Sequence, residues 1–254
     1  MSHVKAFAAK EQSAPLNDFD IERRAVGPDD VQIDIAYCGV CHSDLHMVNN
    51  DWGISAYPLV PGHEIIGHVM GVGVNVENFK KDDVVSVGCF VDSCRTCEAC
   101  KVHLEQYCLN GFKMTYGSET DDPGGLTFGG YSQNIVVDNN YVIRVPDNLD
   151  MASSAPLACA GITTYSPLKH WNIRPGQMVG IVGLGGLGHM GVKFAHAMGA
   201  RTIMITTSPE KGEDAKALGA DDVLLSTDAE KMAKWAGKFD FLLNTIPVAH
   251  DINP

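Results

Sequence analysis

The sequence predicts two domains of different class: an all-β, barrel-like N-terminal domain and a C-terminal α/β domain with a doubly wound parallel sheet. Three observations carry this prediction. Short β-rich segments separated by turn residues fill the first 150 residues, strand and helix patterns alternate after them, and a glycine-rich turn joins the first of those strands to a helix. We therefore expect domains at residues 1–150 and 151–254.

Four segments of the N-terminal part are predicted strands. "DDVQIDIAYCG" alternates apolar and polar residues and stops at Gly39, and "GHVMGVGVNV" is β-rich with repeated glycines. "DDVVSVGCF" and "YSQNIVVDNNYVIRVP" are the other two. Turn signals recur about every ten residues, which is typical of a barrel-like domain with long loops.

The C-terminal part alternates strands with helices. The predicted strands are "MVGIV", "RTIMI", "DVLL" and "FDFLLN", and a helical segment separates each from the next. This alternation predicts right-handed βαβ crossovers and a parallel sheet. In the usual strand order "FDFLLN" lies beside "MVGIV".

Composition excludes several classes of protein. The 254 residues are 45% hydrophobic and 20% charged, with a net charge of -12, so no basic face for nucleic acid is expected. Glycines break the longest apolar stretch, residues 178–192, which is therefore no membrane span. The N-terminus has no signal-peptide apolar region, so we expect a cytoplasmic protein whose clustered cysteines bind metal.

The segment 92–108, the cysteine lobe, holds four cysteines spaced C-x2-C-x2-C-x7-C: Cys94, Cys97, Cys100 and Cys108. Two intervening residues let neighbouring thiolates turn toward one tetrahedral centre, and a longer return brings the fourth. An iron–sulfur cluster is the main alternative. The spacing favours a structural zinc whose four thiolates leave no open position for substrate.

A glycine turn follows the strand "MVGIV" and opens a helix. Gly183, Gly185 and Gly188 form G-x-G-x-x-G, and Gly186 and Leu187 complete the turn. In this strand–turn–helix context the motif predicts a dinucleotide whose pyrophosphate lies at the helix N-terminus.

The end of the next strand predicts which dinucleotide binds. An NAD site places Asp or Glu there for the ribose 2′-hydroxyl, whereas this strand is followed by Thr207 and Ser208, with Lys211 nearby. Hydroxyls and a lysine suit a 2′-phosphate, whereas the nearby carboxylate of Glu210 is unfavourable to one. We therefore favour NADP(H).

Three more stretches, "CGVCHSDLH", "PGHEIIGH" and "LACAGITTY", stand out. Together with the cysteine lobe and the GLGGLG turn, and in this order, they resemble the zinc-containing medium-chain alcohol dehydrogenases, above all the cinnamyl-alcohol-dehydrogenase-like branch. The resemblance implies a GroES-like catalytic domain, a Rossmann domain and NADP(H)-linked interconversion of primary alcohols and aldehydes. It also implies small-molecule substrates and, for the family, a homodimer.

The resemblance further implies roles for single residues. Cys41, His63 and Cys159 would hold a catalytic zinc, which makes two zinc ions per chain with the cysteine lobe. Glu64 resembles a carboxylate that helps ligand exchange at the metal, and Asp44 resembles the acid that orients the ligand histidine. The remaining matches are the proton relay and two cofactor contacts: Ser43 and His46, then His42 near the cofactor phosphates and Thr163 facing the nicotinamide.

The C-terminal part departs from the family. It has four predicted strands where a full dinucleotide fold has about six, so we expect a truncated, partial Rossmann domain. Its last strand would then be a bare edge that favours association or marginal stability. A non-catalytic zinc-binding fragment therefore stays an alternative, as does a zinc-free quinone reductase, which the three ligand residues disfavour.

Overall fold

The computed structural model describes residues 1–252 and divides the chain into two units, Met1–Cys159 and Ala160–Pro254. The first unit extends past the boundary predicted near residue 150, because residues 151–159 pack on that unit. Met151 and Ala155 lie against Ile66 and Val145 in one apolar cluster.

A five-stranded antiparallel sheet with the order β8-β3-β4-β5-β9 forms the centre of the first unit. The nine strands described in this unit are β1 Ser2–Ala8, β2 Asn17–Arg23, β3 Asp30–Cys38, β4 Ile65–Val72, β5 Val84–Val87, β6 Phe90–Asp92, β7 Lys113–Met114, β8 Asn134–Asp138 and β9 Ile143–Arg144. β1 pairs with β2 and β6 pairs with β7 in two separate two-stranded sheets.

The alternating pattern of β3 explains the core of this sheet. Val31 and Ile33 are fully buried, and they pack with Ile65 and Val69 of β4 and with Ile135 of β8. Because side chains of a strand alternate between faces, the polar residues of β3 lie on the other face. The β1–β2 hairpin was not predicted from the sequence, and its inward side chains include the small alanines Ala6 and Ala8.

Three short α-helices of the first unit follow loops: α1 His42–Asn49, α2 Glu98–Lys101 and α3 Met151–Ser154. The described helical segments of the first unit also include three 3-10 helices: Glu105–Tyr107, Asn139–Tyr141 and Ala155–Ala158. α1 follows β3 after a short loop, residues 39–41, and α2 lies inside the cysteine lobe. Both therefore carry residues that the sequence analysis singled out.

The second unit is a parallel sheet with the order β12-β11-β10-β13. Its strands are β10 Met178–Val182, β11 Arg201–Thr206, β12 Asp222–Leu225 and β13 Phe241–Asn244, and its helices are α4 Ala160–His170, α5 Gly186–Ala197, α6 Lys211–Ala217 and α7 Ala229–Trp235. The position predicted for "FDFLLN" is confirmed, since Val179 of β10 pairs with Phe241 of β13. No helix in residues 1–252 has the length and apolar character that a membrane crossing requires.

Candidate metal and dinucleotide sites

Four side chains from distant parts of the first unit meet in one place. A ligand atom from each of Cys41, His63, Glu64 and Cys159 lies within 4.8 Å of those of the others, and all four residues are buried. His63 Nε2 is 3.2 Å from the Cys159 sulfur, and the Cys41 and Cys159 sulfurs are 3.9 Å apart. We call these four residues the buried cluster.

The local fold explains why these residues meet. Cys41 is the N-cap of α1, so its extended backbone turns the chain from β3 into the helix. His63 and Glu64 directly precede β4, the neighbour of β3 in the sheet. Cys159 directly follows the 3-10 helix Ala155–Ala158. Three segment ends therefore converge at one end of the sheet.

Asp44 fixes the orientation of the His63 ring. Its Oδ1 atom is 3.1 Å from His63 Nδ1 and accepts a hydrogen bond from Gly62 N, while its Oδ2 atom accepts from Cys41 N and the Tyr131 hydroxyl. Burial alone raises the pKa of Asp44, but the hydrogen bond from His63 and those from the backbone hold it below its usual value. Asp44 is therefore an ionised acceptor, and His63 Nε2 points to the two sulfurs.

The donor set of the buried cluster suits zinc. Two sulfurs and an imidazole nitrogen are zinc ligands in catalytic sites, whereas calcium and magnesium prefer oxygen. The hydrogen bond with Cys159 and burial raise the pKa of the Cys41 thiol to about 11. Cation binding therefore has to displace a proton from a thiol that otherwise keeps it.

The cysteine lobe is a second candidate metal centre. The four predicted sulfurs of Cys94, Cys97, Cys100 and Cys108 lie within 4.8 Å of one another. Backbone amides point at them: Cys97 N donates to the Cys94 sulfur and Leu109 N to the Cys97 sulfur. Backbone hydrogen bonds, from Thr96 first, lower the pKa of Cys94 to about 5. Four sulfurs with supporting amides fit a closed, structural zinc site.

α1 carries the residues predicted for a proton relay. Ser43 and His46 are half-buried and one helical turn apart, and His42 is exposed. His46 Nδ1 lies 2.7 Å from the Asp51 carboxylate, and its ring is 5.2 Å from that of Trp52. Asp51 was not predicted from the sequence, although its spacing of five residues from His46, across the end of the helix, is a local signal.

The predicted glycine turn lies between β10 and α5 in the second unit. Gly183 has a φ of +90°, which favours glycine, and any side chain at Gly188 would overlap the carbonyl oxygen of Gly183. Both positions therefore keep the turn tight and its backbone accessible. The N-terminus of α5 follows at Gly186, where a phosphate can accept hydrogen bonds from free N–H groups.

A cavity of about 480 Å³ borders this turn. Its lining consists of residues from the turn, α5 and α6: Leu184, Gly185, Gly186, His189, Lys211, Asp214, Ala217 and Leu218. Lys211 Nζ donates to the carbonyl oxygen of Leu184 at 3.3 Å, so the structure brings this predicted residue to the turn. A cavity of this size, with backbone N–H groups and a cation, fits part of a phosphorylated dinucleotide.

The other predicted cofactor contacts lie outside that lining. Thr207 is exposed, Ser208 is half-buried with its N–H bonded to Thr206, and Thr163 is an exposed residue of α4. His189 and Asp214 are the ionisable lining residues that were not predicted from the sequence. Helical spacing was the available signal, since His189 lies one turn after Gly186 and Asp214 one turn after Lys211.

Known protein families match both parts of the chain. The alcohol dehydrogenase GroES-like domain matches residues 27–147, and a family described as zinc-binding dehydrogenase matches residues 186–254. The aldehyde reductase YahK of Escherichia coli is 54% identical over 98% of this chain and 72% of its own length. NADP-dependent alcohol dehydrogenase C 1 of Mycolicibacterium smegmatis is 53% identical over 99% of this chain and 72% of its own.

Solved structures with the same fold include two similar proteins. A cinnamyl alcohol dehydrogenase from Sorghum bicolor has a TM-score of 0.94 and 44% identity, over 98% of this chain and 71% of that one. CAD from Helicobacter pylori, solved with NADP(H), has a TM-score of 0.90 and 44% identity, over 98% of this chain and 70% of that one.

Proposed function

The chain belongs to the zinc-containing medium-chain alcohol dehydrogenases, in the cinnamyl-alcohol-dehydrogenase-like branch, and we propose that aromatic and allylic primary alcohols and aldehydes are its substrates. It is an oxidoreductase of alcohols and aldehydes that depends on zinc and NADP(H). The observation that carries this function is the buried cluster, where two sulfurs and the His63 ring converge beside an ionised Asp44.

We assign the zinc ions to the two cysteine-containing sites. Cys41, His63 and Cys159 would hold the catalytic zinc, and the four sulfurs of the cysteine lobe would hold the structural one. When bound, zinc supplies a Lewis acid for the substrate oxygen, and NADP(H) supplies or accepts the hydride. Asp44 keeps His63 in the tautomer that leaves Nε2 free as a ligand atom.

The proton of the alcohol would leave along α1. Ser43 would hydrogen-bond the substrate hydroxyl, and His46, one turn further, would accept the proton. The carboxylate of Asp51 at 2.7 Å stabilises the charge that His46 then carries. Glu64, the fourth member of the buried cluster, would assist exchange of ligands at the metal.

The glycine turn and Lys211 would bind the cofactor. Gly183, Gly185, Gly186, Leu187 and Gly188 allow the pyrophosphate to approach the start of α5. Lys211 would pair with the 2′-phosphate, supported by its place in the cavity beside the turn. Thr207 and Ser208 at the end of β11, His42 and Thr163 are proposed as further contacts.

The branch and the residues just after α1 support this substrate class. The Sorghum bicolor protein is named for an aromatic allylic alcohol. Here Trp52 is half exposed next to the ring of His46, and Ile54 is also exposed, so an aromatic substrate has apolar partners beside the proposed relay. Met47 on α1 is buried in an apolar cluster with Leu59 and Tyr116.

Steady-state kinetics test this function. NADPH-dependent reduction of cinnamaldehyde should be faster than that of a saturated aldehyde of similar length, and His63→Ala should lose it while keeping its circular dichroism spectrum. Zinc-independent turnover, or equal rates for both aldehydes, would contradict the proposal. A cytoplasmic location and a homodimer are further proposals, which cell fractionation and sedimentation analysis check.

A further inference from the structure

Gly39 lies against the carboxylate of Glu64. It directly follows β3, and its backbone N–H donates to the Glu64 carbonyl at 2.9 Å. A methyl group built on Gly39 would overlap Glu64 Oε2 and would lie 3.0 Å from Glu64 Cβ and 3.1 Å from Glu64 Cδ. The Glu64 side chain therefore occupies the space that any side chain at position 39 would need.

Backbone conformation does not explain this glycine. Gly39 lies outside the set of glycines with positive φ, which includes Gly62 and Gly183. A positive φ is therefore not what requires glycine at position 39. The constraint is steric, and it comes from the side chain of one residue of the buried cluster.

Glu64 has little room to move elsewhere. It is 2% exposed, and its carboxylate is within 4.8 Å of the ligand atoms of Cys41, His63 and Cys159. Interiors are packed closely enough that a side chain displaced from one wall presses on another. A methyl group on Gly39 would therefore change where the carboxylate stands relative to the metal ligands.

We propose that Gly39 is a positioning residue for Glu64. Because position 39 carries no side chain, the Glu64 carboxylate has the space to lie beside the zinc ligands. The inference rests on the role in ligand exchange that is proposed for Glu64. Gly39 itself touches neither substrate nor metal. It acts only through Glu64, so its effect should vanish when Glu64 is shortened.

Zinc release to a chromogenic chelator tests this in a double-mutant cycle of Gly39→Ala, Glu64→Ala and the double variant. The His63→Ala variant gives the baseline from the cysteine lobe. Glu64→Ala should change the release rate of the catalytic-site zinc about tenfold, as substitutions around metal ligands commonly do. Gly39→Ala should change it in the same direction, and the double variant should match Glu64→Ala.

Thermal unfolding supplies a second readout that does not need activity. Gly39→Ala should lower the Tm, and Glu64→Ala should restore much of it in the double variant because the overlapping carboxylate is gone. Gly71→Ala is the matched control, since a methyl group on this β4 glycine meets no atom within 4 Å.

Each outcome separates the hypotheses. Normal zinc release from Gly39→Ala beside altered release from Glu64→Ala overturns the role of Gly39 alone, as do additive effects in the double variant. Normal release from Glu64→Ala overturns the role of Glu64 and the inference with it. Aldehyde reduction by the unaltered chain decides the proposed function independently.

Discussion

His63 and Asp44 form a buried pair in which Nδ1 of the ring lies 3.1 Å from Oδ1 of the carboxylate. The same carboxylate also accepts from Cys41 N, so one acid is bonded to two of the residues proposed as zinc ligands. This makes Asp44 the link between the start of α1 and the start of β4. Replacement of Asp44 should therefore weaken zinc binding directly and slow the reaction only as a consequence.

Asp44→Asn should weaken zinc binding at the buried cluster by roughly 10–100-fold, the usual range for a residue that orients a metal ligand. The amide keeps the shape but loses the charge that fixes the His63 tautomer. Competition with a chelator measures the affinity. Asp34→Asn, an exposed carboxylate on β3, is the control and should leave it unchanged. Equal zinc affinity in both variants would contradict the assigned role.

Cys97→Ser should destabilise the chain, since the cysteine lobe is mostly loop and its four sulfurs converge on one point. We expect a loss at the upper end of single-residue effects, roughly 3 kcal/mol or more, because a metal ligand goes with it. Thermal unfolding and zinc content measure this. Glu98→Gln, exposed in the same lobe, is the control. Retention of two zinc ions by Cys97→Ser would refute the four-sulfur site.

Lys211→Ala should narrow the preference for NADPH over NADH. A hydrogen bond to a charged group is worth roughly 1.5–3 kcal/mol. The binding free energy of NADPH should therefore become less favourable by that amount, while that of NADH changes little. Fluorescence titration of both cofactors measures the difference. Lys216→Ala, on the same helix but outside the cavity lining, is the control. Identical NADPH affinity in Lys211→Ala and the unaltered chain would remove Lys211 from the site.

The fold was predictable from the sequence where the hydrophobic patterns were strong. The four parallel strands were located by short apolar runs that alternate with helical segments, and each lies within or overlaps the predicted segment. The β1–β2 hairpin escaped because Ala6 and Ala8 are too small to make its alternation visible. The contact of Ala155 with Ile66 places the segment after residue 150 on the first unit, and no local pattern records a contact between residues so far apart in the sequence.

The candidate sites, like the fold, were only partly predictable from the sequence. Spacing predicted the cysteine lobe, whose four sulfurs lie in one short segment, but Cys41, His63 and Cys159 could be joined only by resemblance. The hydrogen bonds between Asp51 and His46, and between Tyr131 and Asp44, depend on side-chain orientation, which a sequence does not show. Lys211 was predicted and does reach the glycine turn, whereas Thr207 and Ser208 do not line that cavity.

Asp51→Asn should slow alcohol oxidation because it removes the negative charge 2.7 Å from His46 Nδ1. General acid–base catalysis by a positioned side chain typically contributes about 10²–10⁴-fold, and His46→Ala should lose a rate factor in that range. Asp51→Asn should lose only part of it, since the imidazole remains and a weaker acceptor replaces the carboxylate.

Stopped-flow measurement of the first turnover separates this effect from product release, and solvent exchange to deuterium oxide reports on proton transfer. Both variants should show a larger solvent isotope effect than the unaltered chain, because proton transfer becomes more rate-limiting. Glu77→Gln, which removes an exposed charge from the same unit, should change neither quantity. An unchanged first turnover in His46→Ala would mean that the proton leaves by a route other than α1.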